Sequence, residues 1–475
     1  GTENKAAVPH LLAGMMVAPG SASRRMLTHA GAEHLDQLQR LTRQAQQQRA
    51  VLANHAQRMD TPLNLIAQLK SVGADLPDHL AMQQLLSLAQ MYASVENLDG
   101  QIAVLKEITE RFPDAAEAAD ANELLFQFYS SAELRFLRRK AGTSSVTSAT
   151  ESRGTESLIQ QVAGSSIPGI AKPIVMRAGR GQGLSNPQGS DNAAVAFQWD
   201  RNADIALDNL RRLSSERASS PELLLRHAAN LRLRKDENRS NTALSLAGQD
   251  DGTYALLART EMQAVYGAAS TAVPVINLKK AISKPFLDAT LIDEIWEDAA
   301  EIPLATVSRT GLSTDPGCLV MLAWDDDHIY LSGRVDKVAG REYYNNKTLA
   351  RNHDAGHGNL DRVEISFDTD RDYTTAFHFT IDESGQTSER CWKSRNWNPE
   401  WFVAADADET SWRFEIAIPQ EELVSQPLTP GDLWAMRIYR IVPGVLQQSL
   451  KDPETETAPT EAVGHGLLRF IRRRN

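Results

Sequence analysis

A chain of 475 residues is longer than one hydrophobic core ordinarily serves, so two or three domains are expected. Its 42% hydrophobic and 23% charged content is that of a folded chain, and a formal charge of −11 argues against nucleic acid as the partner, because a phosphate footprint needs surplus Lys and Arg. Two cysteines, Cys318 and Cys391, exclude Cys-rich zinc motifs, and two buried free thiols are expected ahead of one disulfide.

Residues 1–30 read as a flexible N-terminal segment. Within it "NKAAVPHLLAGMMVAPGSAS" imitates a secretory leader, with Lys5 before the apolar Leu11–Ala18 and small residues at Ser21-Ala22-Ser23, although Pro9 and His10 break the stretch. No apolar run approaches the roughly 18 residues that span a bilayer, so no transmembrane segment is expected. The expected address is extracytoplasmic: periplasmic, cell-surface or secreted.

Residues 31–140 read as a helical domain. In "GAEHLDQLQRLTRQAQQQRAVLANHAQRM" (31–59), Leu35, Leu38, Leu41 and Ala45 make one apolar stripe. The stretch 85–129 predicts three helices: one closing near Val95, one over about 98–111, and one started by Pro113. Small Ala89, Ala93 and Ala103 alternate with Leu88, Tyr92, Leu105 and Phe112, which suits paired antiparallel helices. On "LAQMY…NLDGQIAVLKEITERFPD…AADANELLFQFY" this part resembles tetratricopeptide-like repeats. That resemblance implies a groove for a protein partner, and a plain helical spacer stands beside it as the other reading.

Residues 141–192 collapse into Ser, Thr, Gly and Pro and read as a low-complexity linker. Residues 193–275 return to helix, with Ser220 capping a helix that begins at Pro221, and "STAVPVINLKKA" reads as connector strands or turns.

Over 280–475 the pattern changes to period two. "VEISFD" sets Val363, Ile365 and Phe367 against Glu364, Ser366 and Asp368; "AFHFTID" and "SWRFEIAIP" alternate likewise. With "LVMLAW", "HIYLSGRV" and "LWAMRIYRI" these make at least six strands at sandwich-like spacing. Of eight tryptophans only Trp199 precedes residue 290. The fold class expected is therefore multidomain α + β, a helical N-terminal region followed by an antiparallel β-sandwich.

In order, W-D-x-x-x-x-Y-L, D-x-V-E-I-x-x-D, W-x-x-E-x-A-I-P, G-x-x-W and the closing "GHGLLRF" resemble a family 9 carbohydrate-binding module, a DOMON-like β-sandwich. The resemblance implies a jelly-roll-like sandwich, often with structural calcium, that binds polysaccharide or oligosaccharide at a groove or rim. Trp296, Trp324, Trp412 and Trp434 fall at framework positions and are expected in the core. Glu364 and His378 fall where sugar-binding members face the ligand, with Asp361 opening the D-x-V-E strand; a solvated sheet face is the other reading. The aromatic expected before that strand is replaced by Gly358 and Asn359, and the tryptophan expected before "GHGLLRF" is absent. Tyr343, Tyr344 or the cluster Trp392, Trp397 and Trp401 would have to supply the stacking walls. Pro399 marks a loop, which leaves Trp397 and Trp401 as stacking candidates, with packing under their own loop as the favoured other reading, while Trp392 packs inward.

"DTDRD" offers Asp368, Asp370 and Asp372 as calcium ligands at alternating positions, without the glycine and glutamate of an EF-hand loop; a solvated acidic turn is the alternative. "HDAGH" (His353, Asp354, His357) lacks the helical frame of a zinc site. Met321 and His378 are the pair through which a haem-binding relative of this sandwich would act. No nucleophile elbow, P-loop, kinase set, H-E-x-x-H or dinucleotide fingerprint occurs. The expectation is a non-catalytic carbohydrate-binding protein with a helical region for protein contacts. A scaffold that has lost its sugar is the alternative, and a glycan-processing hydrolase comes third.

Overall fold

The computed structural model describes residues 77–94, 96–140, 188–265, 273–309, 316–343, 351–450 and 464–472. The helix over 31–59, the leader-like segment, most of the linker and Tyr344 lie outside the described residues. Contacts divide the chain into two compact units, 1–125 and 126–475.

In the first unit, α1 (Asp78–Ser94) and α2 (Leu98–Arg111) pair closely. Leu88, Tyr92, Val104, Leu105 and Ile108 are buried between small residues, as the alternation requires. Gly100 makes the approach feasible: a Cβ there would stand 2.5 Å from the Tyr92 ring. Asn97 starts α2 by accepting from the Gly100 amide at 2.9 Å, satisfying one of the free donors of the first turn. Helix α3 (Ala116–Ser130) begins three residues later than Pro113, after a turn closed by Ala115 N–H to Phe112 C=O. Its residues from Phe126 onward belong to the second unit.

The second unit continues with α4 (132–140), α5 (Gln188–Leu213), α6 (Ser215–Ala218), α7 (Pro221–Leu233), α8 (Glu237–Ala247) and α9 (Thr253–Val265). Ser220 caps α7, accepting from the Leu223 amide at 3.4 Å. The strands are β1 (Val275–Lys279), β2 (Ala300–Pro303), β3 (Ala305–Arg309), β4 (Cys318–Trp324), β5 (His328–Asp336), β6 (Arg362–Asp368), β7 (Phe377–Asp382), β8 (Thr387–Cys391), β9 (Phe402–Ala407), β10 (Ser411–Pro419), β11 (Leu433–Val442), β12 (Leu446–Ser449) and β13 (Gly466–Ile471); α10 (Glu294–Glu297) follows β1.

They form the expected β-sandwich. One sheet of eight strands runs β1-β13-β11-β6-β7-β8, with β12 attached at β11 and β3 at β12; the other, of five, runs β2-β4-β5-β10-β9. Val363, Ile365, Phe367, Phe377, Phe379 and Ile381 from the first and Trp412, Phe414, Ile416 and Ile418 from the second are all 0% exposed. Of the connector strands or turns expected in "STAVPVINLKKA", Val275–Lys279 is a strand and a full member of the sheet: β1 pairs in parallel with β13, from Val275 opposite Leu467 to Lys279 opposite Ile471.

Both sheets carry further layers. Helices α7, α8 and α9 pack Leu225, Leu244, Leu257 and Ala258 against Tyr373, Ala435 and Leu467 at one end of the eight-stranded sheet. On the far side, Trp296 of α10 covers Ala323, Tyr330 and Ala417, and its indole N–H donates to the buried Glu415 at 2.8 Å. Trp324, Trp412 and Trp434 are buried as expected, and Trp296 is buried too, on the outer face of its sheet. Cys318 and Cys391 are both buried and free, and burial pushes the Cys318 thiol up to about 12. Among the described residues no helix is long and apolar enough to cross a membrane.

Candidate functional site

Strand parity decides which side chains the eight-stranded sheet turns outward. Pairing of β6 with β7 and β11 sets Glu364 beside Thr380 and Tyr439, and Ser366 beside His378 and Arg437. On β8, Ser388 continues the first row beyond Thr380, and Arg390 continues the second beyond His378. All of these are part-exposed or exposed, while their neighbours in sequence are buried. The outcome is a polar, hydroxyl-rich face with one aromatic ring on it.

Glu364, 34% exposed, accepts from Arg362 Nε at 2.8 Å. His378 Nδ1 lies 2.7 Å from Ser366 Oγ. Burial, together with the positive fields of Arg390, Arg437 and His465, pushes the imidazole down to about 3, so at neutral pH it offers one donor and one acceptor without charge. Arg437 lies over the Tyr439 ring, 5.2 Å from its centroid. Gly464, at φ 77°, lets the chain pass that ring, since a Cβ there would meet the Tyr439 hydroxyl at 2.5 Å. Sequence reading missed Tyr439 and Arg437, although the alternation of "LWAMRIYRI" already put them on the face opposite Trp434, Met436 and Ile438.

Four expected ligand residues lie elsewhere. Trp397 and Trp401 are only 5% and 2% exposed and pack on the inner side of β7: Trp397 against Phe377 at 4.6 Å, Trp401 against Phe379 at 4.9 Å. Arg351 lies 4.4 Å over the Trp401 ring, and the Trp401 indole donates to Glu389, so neither tryptophan offers a face for stacking. Asp361 is 0% exposed and ion-paired with Arg440, at 3.1 Å to Nε and 2.8 Å to Nη2, and it also accepts from the Trp412 indole. It holds the sandwich interior together and cannot reach a ligand. Tyr343 donates its hydroxyl to Asp361 and accepts from the Val338 amide; burial, first, and the Asp361 charge push it up to about 12. Its ring carries Lys337 and Arg341 cations at 5.3 and 5.1 Å. Trp392, expected to pack inward, is 7% exposed and meets Phe128 edge-on at 5.3 Å. Met321 packs on the outer side of the five-stranded sheet, so it cannot share a ligand with His378 on the other.

The acidic loop is a buried junction rather than a solvated turn. Asp368, Asp370 and Asp372 are 1%, 5% and 0% exposed, and Glu133, which sequence reading missed, joins them at 0%. Oxygens of Glu133, Asp368 and Asp370 lie within 4.8 Å of one another. Asp372 lies beside them and accepts from the Thr374 and Thr375 amides at 2.6 and 2.7 Å. Glu133 sits in the first turn of α4, whose cap Ser131 accepts from the Leu134 amide; Ala132 N–H donates to Asp370 at 2.7 Å. The helix N-terminus thus meets the carboxylates where its partial positive charge stabilises them. From the helical layer, Arg232 donates to the Asp370 carbonyl at 2.7 Å and Arg226 to Thr374 at 3.0 Å. Arg371 and Tyr373 hold left-handed φ of 61° and 58°, and both bind the buried Glu261 of α9. Burial first, and mutual repulsion second, raise all four carboxyls, Glu133, Asp370 and Asp372 to about 7. An all-oxygen donor set with surplus negative charge fits a hard divalent cation such as calcium.

The residues of "HDAGH" do not converge on a metal: His353 points to Glu389 at 4.0 Å, and His357 turns to Asp382 and Ser388.

Comparison with known proteins bears on the sandwich. The family model described as "Carbohydrate family 9 binding domain-like" matches residues 287–439. A family 9 carbohydrate-binding module from Caldicellulosiruptor kristjanssonii, solved with cellotriose, is 15% identical and covers 42% of this chain and 95% of its own, at TM-score 0.30. The same module with glucose covers 42% and 97%, also at 15% identity, with TM-score 0.29. No curated protein matches the chain. Residues 287–439 are thus a carbohydrate family 9 binding domain-like region.

Proposed function

We propose that the sandwich binds a carbohydrate on the outer face of its eight-stranded sheet. The observation that carries this reading is the row Tyr439, Glu364 and Thr380, backed by His378 and Ser366, inside the region that the family model matches. A sugar ring needs a flat apolar surface for its C–H face and donors and acceptors for its hydroxyls. The face of the Tyr439 ring turned away from Arg437 would supply the first; the carboxylate of Glu364 and the uncharged imidazole of His378 would supply the second.

Glu133, Asp368 and Asp370 would hold a calcium ion, whose charge offsets theirs and whose role is structural. Protein contacts through α1 and α2 belong to the same proposal, on the strength of their hairpin pairing alone, as does an extracytoplasmic address.

The full chain run on native gels containing cellulose derivatives, xylan or mannan is expected to be retarded by at least one of them. Glu364→Gln and Tyr439→Ala should each weaken retardation about fivefold or more, the loss of roughly 1–3 kcal/mol expected for a hydrogen bond to a charged group or a stacking ring. Folded protein that migrates freely in every gel would overturn the sugar reading. It would favour the alternative of a scaffold protein, which the burial of Trp397 and Trp401 already supports by removing the two-walled clamp.

A further inference from the structure

One constellation on the same sheet face is not needed for sugar binding. His357 Nδ1 lies 2.9 Å from Asp382 Oδ2, and His357 Nε2 lies 2.8 Å from Ser388 Oγ. A carboxylate accepts, so Nδ1 donates to Asp382, and in the singly protonated tautomer Nε2 accepts from the serine hydroxyl. That is the tautomer a nucleophilic serine requires.

The surroundings fix this arrangement. Asp382, 1% exposed, closes β7, and its second oxygen accepts from the Ser384 and Gln386 amides at 2.9 and 3.1 Å. The β7–β8 turn therefore orients the carboxylate independently of the histidine. His357 arrives from the segment before β6, which is tied to β8 by Ala355 N–H to Thr387 C=O at 2.9 Å and by the bridge between Asp354 and Ser388. Its side chain is 10% exposed, while Ser388 is part-exposed and points outward. Buried orienting acid, shielded base and part-exposed serine follow one another from the inside out.

We propose that Ser388, His357 and Asp382 form a nucleophilic triad that hydrolyses carboxylic esters borne by a carbohydrate. The ester class is set by the triad. The carbohydrate carrier rests on the proposed function above: Ser388 shares a row with Glu364, two strands away or about 10 Å, so an acyl group on a neighbouring ring of the bound glycan reaches it. Ser388 Oγ attacks the acyl carbon while His357 Nε2 takes the hydroxyl proton. The bond from carbonyl carbon to sugar oxygen breaks, and His357 returns the proton to that oxygen, releasing the sugar hydroxyl. Water then attacks the acyl carbon and gives a proton to His357 Nε2; the bond from that carbon to Ser388 Oγ breaks, His357 passes the proton to Oγ, and the carboxylic acid leaves. Asp382 stays ionised throughout and holds the ring.

The full chain is treated with a fluorophosphonate probe, mapped by mass spectrometry, and assayed with 4-nitrophenyl acetate. Labelling is expected at Ser388, together with hydrolysis that falls about 10²-fold or more in Ser388→Ala and His357→Gln. Should Ser388→Ala fail to fold, Ser388→Cys supplies a second reading: its alkylation by iodoacetamide should be fast with His357 present and slow with His357→Gln. Folded wild type without label at Ser388, or hydrolysis unchanged by Ser388→Ala, would overturn the triad. Labelling without retention on any glycan gel would sink the sugar reading and leave the triad standing; retention without labelling would do the reverse.

Discussion

Arg440 and Asp361 face each other at 0% exposure, charge against charge, inside the sandwich. Asp361→Asn leaves the guanidinium buried without its counter-ion and is expected to cost about 3–5 kcal/mol in denaturant unfolding, whereas an exposed pair would cost less than 1. A loss below 1 kcal/mol would contradict this geometry. His227 makes a pH-dependent case. Burial, then the positive Arg211 and Arg239, push it down to about 4, below its ordinary 6.5. Between these values the unfolded chain takes a proton that the folded chain refuses. Stability is therefore lost as pH falls from about 6.5 towards 4, by up to about 3 kcal/mol. The buried carboxyl cluster acts with the opposite sign in this range, so the quantity to measure is the difference between wild type and His227→Gln, which should shrink as pH falls. At this scale the sequence left Trp397 and Trp401 open between stacking and packing under their own loop, and the structure has them packed. Proline near a tryptophan announces a loop, but nothing in "NWNPEW" reveals that the loop folds back under β7 to bring both rings onto Phe377 and Phe379.

Among elements, legibility followed distance along the chain. The strands of the sandwich were readable because alternation is local, and so was the cap of α7, where Ser220 and Pro221 are adjacent. The acidic junction was half readable. Asp368 and Asp370 stand in one short loop, whereas Glu133 comes from a helix start more than two hundred positions earlier, and no local pattern links them. This junction predicts a calcium effect on stability. At a hundredfold excess over its Kd, calcium should add about 2.7 kcal/mol, read as a higher Tm in calcium than in chelator. Glu133→Gln and Asp370→Asn should each abolish that gain. An identical Tm in calcium and chelator for the wild type would remove calcium from this loop.

At the scale of the second unit, helices and sandwich share their packing. Leu257 of α9 is in one cluster with Ala435 and Leu467 of the sheet, while Arg226, Arg232 and Glu261 grip the acidic loop from the helical side. Residues 126–475 should therefore unfold in one transition. Leu257→Ala in a helix and Ile416→Ala in the far sheet, each costing about 2–5 kcal/mol, should lower the same calorimetric peak. Two peaks, each moved by only one of the substitutions, would show that the helices are a separate domain. The sequence suggested such a separation, because its composition shifts sharply near residue 280; the shift marks a change from helix to strand inside one packed unit.

The parallel pairing of β1 with β13 also sets when the molecule can form. β13 lies inside the eight-stranded sheet, between β1 and β11, although it is made after every other strand among the described residues. On the ribosome β1 emerges almost two hundred residues before the strand it pairs with, and until then β11 presents an open edge. Such late closure by distant pairing slows folding and exposes sticky strand edges. Nascent chains arrested before Gly466 should accordingly stay protease-sensitive throughout the sandwich, and resistance should arrive abruptly once Ile471 has cleared the exit tunnel.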